Sequence, residues 1–233
     1  MIKLIILDLD DTLVGRADDH ADLIAMRRKD VVDTLGLDST SAEEKITLLR
    51  RKGLDNYSLY EHLRLGTGRL VGGNLLRDNI IKSFVPRQAP NPDLASYLKR
   101  LNTSGSILTI VTNSPTELVK PKLDSVCIPI GIFEKIIGWE INQHPPKTGR
   151  TTEEVFSNLL KKYCAKPEEA VGVGDEVKLD LKPLKELGGW TIMVGGDKYR
   201  TLDDLKYVDT SIESINMLGS AIESISRKLK NRR

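Results

Sequence analysis

The chain is poor in cysteine, in aromatic residues and in long apolar runs. Its 233 residues include two cysteines, which form neither a disulfide framework nor a metal-binding pair. Aromatic residues make up 5%, too few for a surface that stacks nucleic-acid bases. No window approaches the roughly 18 apolar residues of a membrane span, and the apolar run near the N-terminus is too short for a signal-peptide core. We therefore expect a soluble, cytoplasmic protein.

An excess of charge of either sign is also missing. The chain has 35 Lys and Arg against 33 Asp and Glu, a formal net charge of +2. Such a balance argues against nucleic acid or an anionic membrane as the partner. With 39% apolar residues the chain is not intrinsically disordered, and its length suits one large domain or a domain with an insertion. Both a monomer and a homodimer are compatible with the sequence.

Short apolar runs alternate with helical patterns along most of the chain. The runs predict strands at residues 4–9, 106–112, 170–174, 190–194 and 207–212. Apolar residues at helical spacing predict helices at 92–102, 153–163, 179–187 and 212–229. Strands that alternate with helices indicate an α/β fold with a doubly wound, Rossmann-like parallel sheet.

The segment between the first two predicted strands is longer than a crossover requires. Residues 15–90 carry helical patterns and no clear strand, and a capping box predicts a helix start at Thr40. We interpret this segment as an inserted helical cap domain that would set specificity. Residues 1–14 and 91–233 would then form the α/β core.

Two acids, Asp8 and Asp10, lie at the end of the first predicted strand. Side chains alternate along a strand, so both would point to the same side, at the edge where α/β proteins bind ligands. Close carboxylates repel unless a cation or a proton lies between them, and their oxygens suit Mg²⁺. The alternative is an acidic loop or helix cap formed by Asp10, Asp11 and Thr12.

The second strand also ends in polar residues. Thr112 and Asn113 could hold anionic oxygens next to the N-terminus of the following helix. The alternative is simple capping of that helix by Ser114, with Pro115 in its first turn.

The third strand ends at Gly174 and Asp175. Asp175 would face the same crevice as Asp8, and Asp180 would either orient the site or occupy the first turn of a helix. Helix capping would account for the polar residues at any one of these strand ends, but it accounts poorly for polar residues at all three.

In combination and order, these motifs resemble those of the haloacid dehalogenase superfamily of phosphohydrolases. The family's DxDx[TV] motif corresponds to Asp8–Thr12, its second motif to Thr112 and Asn113, and its GDxxxxD motif to Gly174–Asp180. The resemblance covers nearly the whole chain and includes members such as phosphoglycolate phosphatases and pyrimidine nucleotidases. It implies a Mg²⁺-dependent phosphatase that acts on a small phosphomonoester, with a helical cap after the first motif.

The resemblance also implies roles for the acids. Asp8 would be the nucleophile that forms an aspartyl-phosphate, and Asp10 would be the general acid and then the general base. Mg²⁺ would be held by Asp8, the Asp10 backbone carbonyl and Asp175, with Asp180 behind them.

The same resemblance assigns the phosphate-binding groups. Thr112 and Asn113 would bind the transferring phosphoryl oxygens. The family's third motif, a basic residue often within KPxPxxF, is not present as such. Lys147 is the usual residue type, whereas Arg150 has the motif's spacing to Phe156, so both stay candidates.

Two other functions share this scaffold. A phosphomutase would use the same aspartyl-phosphate and return the phosphate to a sugar. A non-catalytic, phosphate-binding regulatory protein would keep the fold without turnover. The presence of the nucleophile, the acid and the metal-binding Asp disfavours the regulatory reading, and Asp10 disfavours a dehalogenase.

Overall fold

The protein is described from a computed structural model. It covers residues 2–15, 21–22, 25–26, 29, 32–33, 36–51, 84–139, 150–195 and 202–230. The chain divides into two compact units. The first consists of Met1–Gly15 together with Gln88–Arg233, and the second consists of Arg16–Arg87. The predicted cap of residues 15–90 stays a prediction, because most of that segment lies outside the described residues.

The first unit contains a parallel sheet in the order β3-β2-β1-β4-β5-β6. Its strands are β1 Leu4–Leu7, β2 Ile107–Pro115, β3 Lys135–Trp139, β4 Ala170–Gly174, β5 Trp190–Val194 and β6 Thr210–Ile212. Leu4 is paired with Ile107 of β2 on one side and with Ala170 of β4 on the other. The strand order reverses at β1, which is where sheets of this kind bind ligands.

Helices cover both faces of this sheet, as the predicted doubly wound fold requires. The α-helices described in this unit are α2 Pro92–Thr103, α3 Thr116–Ser125, α4 Arg150–Lys162, α5 Lys182–Glu186 and α6 Leu218–Lys230. In the second unit, α1 spans Ser39–Arg51. Short 3₁₀ segments lie at Ile130–Ile132, Pro167–Glu169, Leu202–Tyr207 and Ile215–Met217, and a π-helical turn lies at Val177–Leu181. Among the described helices, none has the length and apolar character needed to cross a membrane.

The alternation of side chains along the strands separates two apolar cores. Ile5 and Leu7 of β1 belong to the core that contains residues of α2, α3 and α6. Leu4 and Ile6 belong to the opposite core, with residues of α4 and α5. A strand that is buried on both faces is apolar throughout, which explains the run that predicted β1.

The sequence located five of the six strands and placed several of their ends wrongly. Strand β1 ends at Leu7 rather than residue 9, and β2 runs on to Pro115. Strand β6 begins at Thr210, because the residues before it form a 3₁₀ segment. The sequence did not predict β3, a five-residue strand at the edge of the sheet.

The start of α1 differs from the predicted capping box. The helix begins at Ser39, and the capping residue is Asp38 rather than Thr40. Asp38 Oδ1 accepts hydrogen bonds from the backbone N–H groups of Thr40 and Ser41, both at 3.0 Å, and Oδ2 accepts one from the Ser41 hydroxyl. These bonds, with the Ser41 backbone N–H first among them, lower the pKa of the Asp38 carboxyl below its ordinary value of 3.8.

Replacement of Asp38 by Ala should therefore weaken the first turn of α1. A lowered pKa in the folded state means that the ionised carboxylate stabilises the helix above the ordinary pKa, and that this contribution is lost as the pH falls through the lowered value. We expect faster hydrogen exchange of the α1 amides in Asp38→Ala near neutral pH, with a smaller difference from wild type in acid. Glu44→Ala, which removes an exposed acid from the same helix, serves as the control, and equal effects of the two variants would contradict the cap.

Candidate active site at the carboxyl ends of the central strands

Asp8 lies directly after the central strand. Its backbone N–H donates to the Val173 carbonyl at 2.9 Å, so the chain stays bound to β4 for one residue beyond β1. Its side chain is buried, with 6% of the residue exposed. Backbone pairing that does not depend on the side chain therefore fixes Asp8 at the carboxyl end of the central strand.

Asp10 is placed by a tight turn rather than by the strand itself. The N–H groups of Leu13 and Val14 both donate to the Leu9 carbonyl, and Asp11 adopts a positive φ of 56°, a conformation that Asp tolerates better than most residues. The strand alternation used to place Asp10 beside Asp8 therefore does not extend to Asp10, since β1 ends before both acids.

The end of β4 carries the second group of acids. Asp175 follows Gly174 and is half-buried, whereas Asp180 lies in the π-helical turn with 3% of the residue exposed. Asp180 Oδ2 accepts a hydrogen bond from the Glu176 N–H at 2.9 Å, and the Asp180 N–H donates to the Glu176 carbonyl at 2.8 Å. The carboxylate of Asp180 is thus held close against β4.

Three of these acids converge. Asp8, Asp175 and Asp180 each offer a carboxylate oxygen, and these atoms lie within 4.8 Å of one another. Carboxylates at such distances repel unless a cation or a shared proton compensates them. An all-oxygen donor set of this charge is suited to Mg²⁺, so the residues present fit the ion that the motifs imply. The Asp10 carboxylate is not part of this group.

The residues after β2 begin the second half of the site. Thr112 is buried, and its hydroxyl accepts a hydrogen bond from the Ser114 N–H at 3.0 Å, whereas Asn113 is exposed. The proposed capping of the next helix by Ser114 is wrong. Pro115 is the capping residue of α3, no side chain caps that helix, and the Ser114 hydroxyl donates instead to Asp10 Oδ2 at 2.5 Å.

A buried lysine of α3 completes this half of the site. Lys122 Nζ donates to Asp10 Oδ1 at 2.5 Å and to Ser114 Oγ at 2.7 Å. Neither Lys122 nor Ser114 was predicted from the sequence to belong to the site. The signal for Lys122 was its place on the apolar stripe of α3, where Leu118 and Val119 are one turn away and buried.

The basic residue of the third motif stays a prediction. Lys147 lies outside the described residues. Arg150 is the first residue of α4, and its side chain is not among those described.

Similarity to known proteins agrees with this geometry. A family model described as haloacid dehalogenase-like hydrolase matches residues 2–188. A glyceraldehyde 3-phosphate phosphatase of Methanocaldococcus jannaschii is 28% identical, with 97% of this chain and 100% of the relative covered. A protein of the same name from Pyrococcus furiosus is 26% identical, with 97% and 94% covered.

Solved structures share the fold. A haloacid dehalogenase-type phosphatase from Thermococcus onnurineus superposes with a TM-score of 0.66 at 19% identity, covering 94% of this chain and 97% of its own. A putative beta-phosphoglucomutase from Thermotoga maritima superposes with a TM-score of 0.59 at 12% identity, covering 95% and 99%. With acids at the ends of β1 and β4, polar groups at the end of β2 and a family model that spans most of its length, the chain belongs to the haloacid dehalogenase-like hydrolases.

Proposed function

We propose that the protein is a Mg²⁺-dependent phosphatase that hydrolyses a small phosphomonoester through phosphoryl transfer to Asp8. The observation that carries the proposal is the convergence of the Asp8, Asp175 and Asp180 carboxylates beside a separately held Asp10. This arrangement offers a cluster of three carboxylates to a cation, and a fourth carboxyl group, that of Asp10, for proton transfer.

In this proposal Mg²⁺ is held by the Asp8 and Asp175 carboxylates and by the Asp10 backbone carbonyl. Asp180 supports these ligands without binding the ion directly. When bound, Mg²⁺ would offset the negative charge that otherwise keeps an anionic nucleophile away from a phosphate. Asp180 is restrained by its bond from the Glu176 N–H, so it keeps the acidic group together on the β4 side.

The proposed reaction has two half-reactions, each with one phosphoryl transfer and one proton transfer. An oxygen of Asp8 attacks phosphorus, the bond from phosphorus to the leaving oxygen breaks, and Asp10 gives that oxygen a proton. In the second half-reaction Asp10 takes a proton from water, the water oxygen attacks phosphorus, and the Asp8 carboxylate is released together with inorganic phosphate. The bond that water forms replaces the bond to Asp8.

The phosphoryl oxygens would be bound on the β2 side of the site. Thr112 and Asn113 are the proposed donors, together with a positive charge from Lys147 or Arg150. An arginine would bind two phosphate oxygens at once, whereas a lysine would act as a point charge.

The substrate that we propose first is a phosphorylated three-carbon compound. This choice is supported by the names of the two archaeal relatives, which are both called glyceraldehyde 3-phosphate phosphatases and align over nearly the whole chain. Phosphoglycolate, other sugar phosphates and nucleoside monophosphates are the alternatives.

The test is phosphate release from a panel of these esters, with Mg²⁺ and with EDTA. We expect release that requires Mg²⁺, that is lost in EDTA and that returns when Mg²⁺ is restored in excess. The ranking of substrates then identifies the class, and glyceraldehyde 3-phosphate should rank near the top. Metal-independent release would contradict the assigned acids, whereas transfer of phosphate to a sugar phosphate without release would indicate a phosphomutase.

A further inference from the structure

The charge of Lys122 lies where packing alone would favour an apolar residue. Only 5% of Lys122 is exposed, and Val119 and Leu123 on the same face of α3 belong to the apolar core around β1. A buried ammonium group costs free energy unless it is paired and hydrogen-bonded. The residue therefore calls for an explanation beyond the packing of α3.

The partners of Lys122 are both on other elements of the site. Its ammonium group donates to Asp10 Oδ1 at 2.5 Å and to Ser114 Oγ at 2.7 Å. Ser114 in turn donates to Asp10 Oδ2 at 2.5 Å. The three side chains thus form a closed triangle that holds both oxygens of one carboxylate.

The direction of these bonds follows from the chemistry of the groups. An ammonium group can only donate, so the Ser114 oxygen accepts from Lys122 and its single proton goes to Asp10. Lys122 therefore acts on Asp10 twice, directly and through the serine. Of the Asp10 side chain 28% is exposed, against 7% for Lys122, so the acid is partly accessible from outside while the lysine is buried.

We propose that Lys122 is a positioning residue for the acid–base chemistry of Asp10. It fixes the orientation of the carboxyl group, since it holds Oδ1 directly and Oδ2 through Ser114. This role rests on the proposed phosphatase function. It adds a residue from the middle of α3 that is not one of the two candidates for the third motif, Lys147 and Arg150.

The experiment compares two esters that differ in how much the leaving group needs a proton. The leaving oxygen of an alkyl phosphate such as glyceraldehyde 3-phosphate would be a strongly basic alkoxide without the proton from Asp10, whereas 4-nitrophenyl phosphate releases a stable phenolate that needs no proton. In Lys122→Met we expect kcat/KM, which reports the first half-reaction, to fall roughly 10- to 100-fold for the alkyl ester and only about 3-fold or less for the aryl ester, because only the alkyl ester needs Asp10 as an acid in that step.

A double-mutant cycle with Asp10→Asn tests whether the lysine acts through Asp10. We expect Lys122→Met to cause no further loss with the alkyl ester once Asp10 has been replaced. Lys120→Met is the matched control, since Lys120 lies on the same helix but is exposed and pairs with Asp124. Its activity on both esters should equal that of wild type.

Thermal unfolding separates this role from a purely structural one. Lys122→Met leaves the partly exposed Asp10 carboxylate without its ammonium partner, so its unfolding temperature should fall, and rates are therefore compared at a temperature at which thermal unfolding shows both proteins to be folded. Equal losses on the two esters, or additive losses in the cycle, would overturn the positioning role while leaving the phosphatase proposal intact. If the wild-type holoenzyme released phosphate from neither of these two esters nor from any other ester of the substrate panel, the proposed function itself would fail and this role would fail with it.

Discussion

Replacing Asp8 by Asn is expected to reduce phosphate release by at least about 10⁴-fold, since it removes the atom that attacks phosphorus without changing the shape of the side chain. The substitution also removes one of the three carboxylates that converge at this edge of the sheet. The backbone bond from the Asp8 N–H to Val173 is unaffected, so the central sheet should form as before. Initial rates with Mg²⁺ present, together with thermal unfolding, measure the two effects separately.

Asp11→Asn is the matched control for that variant. Asp11 is three residues further along the same acidic stretch, and asparagine accepts its positive φ as readily as aspartate does. We expect this control to keep its activity. If Asp8→Asn kept more than a small fraction of wild-type turnover, the phosphoryl acceptor would have to be a different group.

Replacing Gly174 by Ala is expected to damage both stability and metal binding. A Cβ at this position would lie 2.3 Å from Cβ and from Oδ2 of Asp180, much closer than carbon and oxygen atoms can approach. Asp180 cannot easily retreat, because the Glu176 backbone binds its carboxylate and its own N–H. We expect a loss of about 1–3 kcal/mol in the free energy of unfolding, as for other overpacked sites, and strongly weakened Mg²⁺ affinity.

Chemical denaturation and titration calorimetry with Mg²⁺ measure these two losses. Gly131→Ala is the control, since apart from the adjoining backbone nothing lies within 4 Å of the Cβ that it would add. Its stability should stay within about 0.5 kcal/mol of wild type. If Gly174→Ala bound Mg²⁺ as tightly as wild type, the close packing of Asp180 against β4 would not matter for the metal.

The sequence predicted the fold wherever an element carries its own pattern. Strands β1, β4 and β5 are buried on both faces and are therefore apolar throughout, so their runs were easy to recognise. Strand β3 starts with Lys135 and contains Gly138, whose added Cβ would lie 2.7 Å from the Ser114 carbonyl. This edge strand forms because its backbone packs closely against β2, and the residues of β3 alone do not predict that pairing.

The same distinction applies to the candidate site. Asp8 and Asp175 were predicted to lie together because they belong to short motifs at strand ends, whereas Asp180 was expected either to orient the site or to occupy the first turn of a helix. The carboxylates of all three converge. Lys122 belongs to no such motif. Its place in the site depends on Asp10, 112 residues earlier in the chain, and on the direction in which α3 packs against the sheet. The sequence showed a charged residue on the apolar face of a predicted helix, but it did not indicate that Asp10 is the partner of this charge.

The central position of β1 has a consequence for how the enzyme is made. Leu4 pairs with Ile107 and with Ala170. The first strand of the chain therefore cannot form its part of the sheet until β2 and β4, which are synthesised much later, are present. Such long-range pairings close slowly, because the loss of chain entropy precedes the gain from contacts. Asp8 therefore leaves the ribosome long before Asp175 and Asp180 exist. A nascent or truncated chain that ends before β4 has the proposed nucleophile but no complete acidic group, so activity should arise in one step when the middle of the sheet closes.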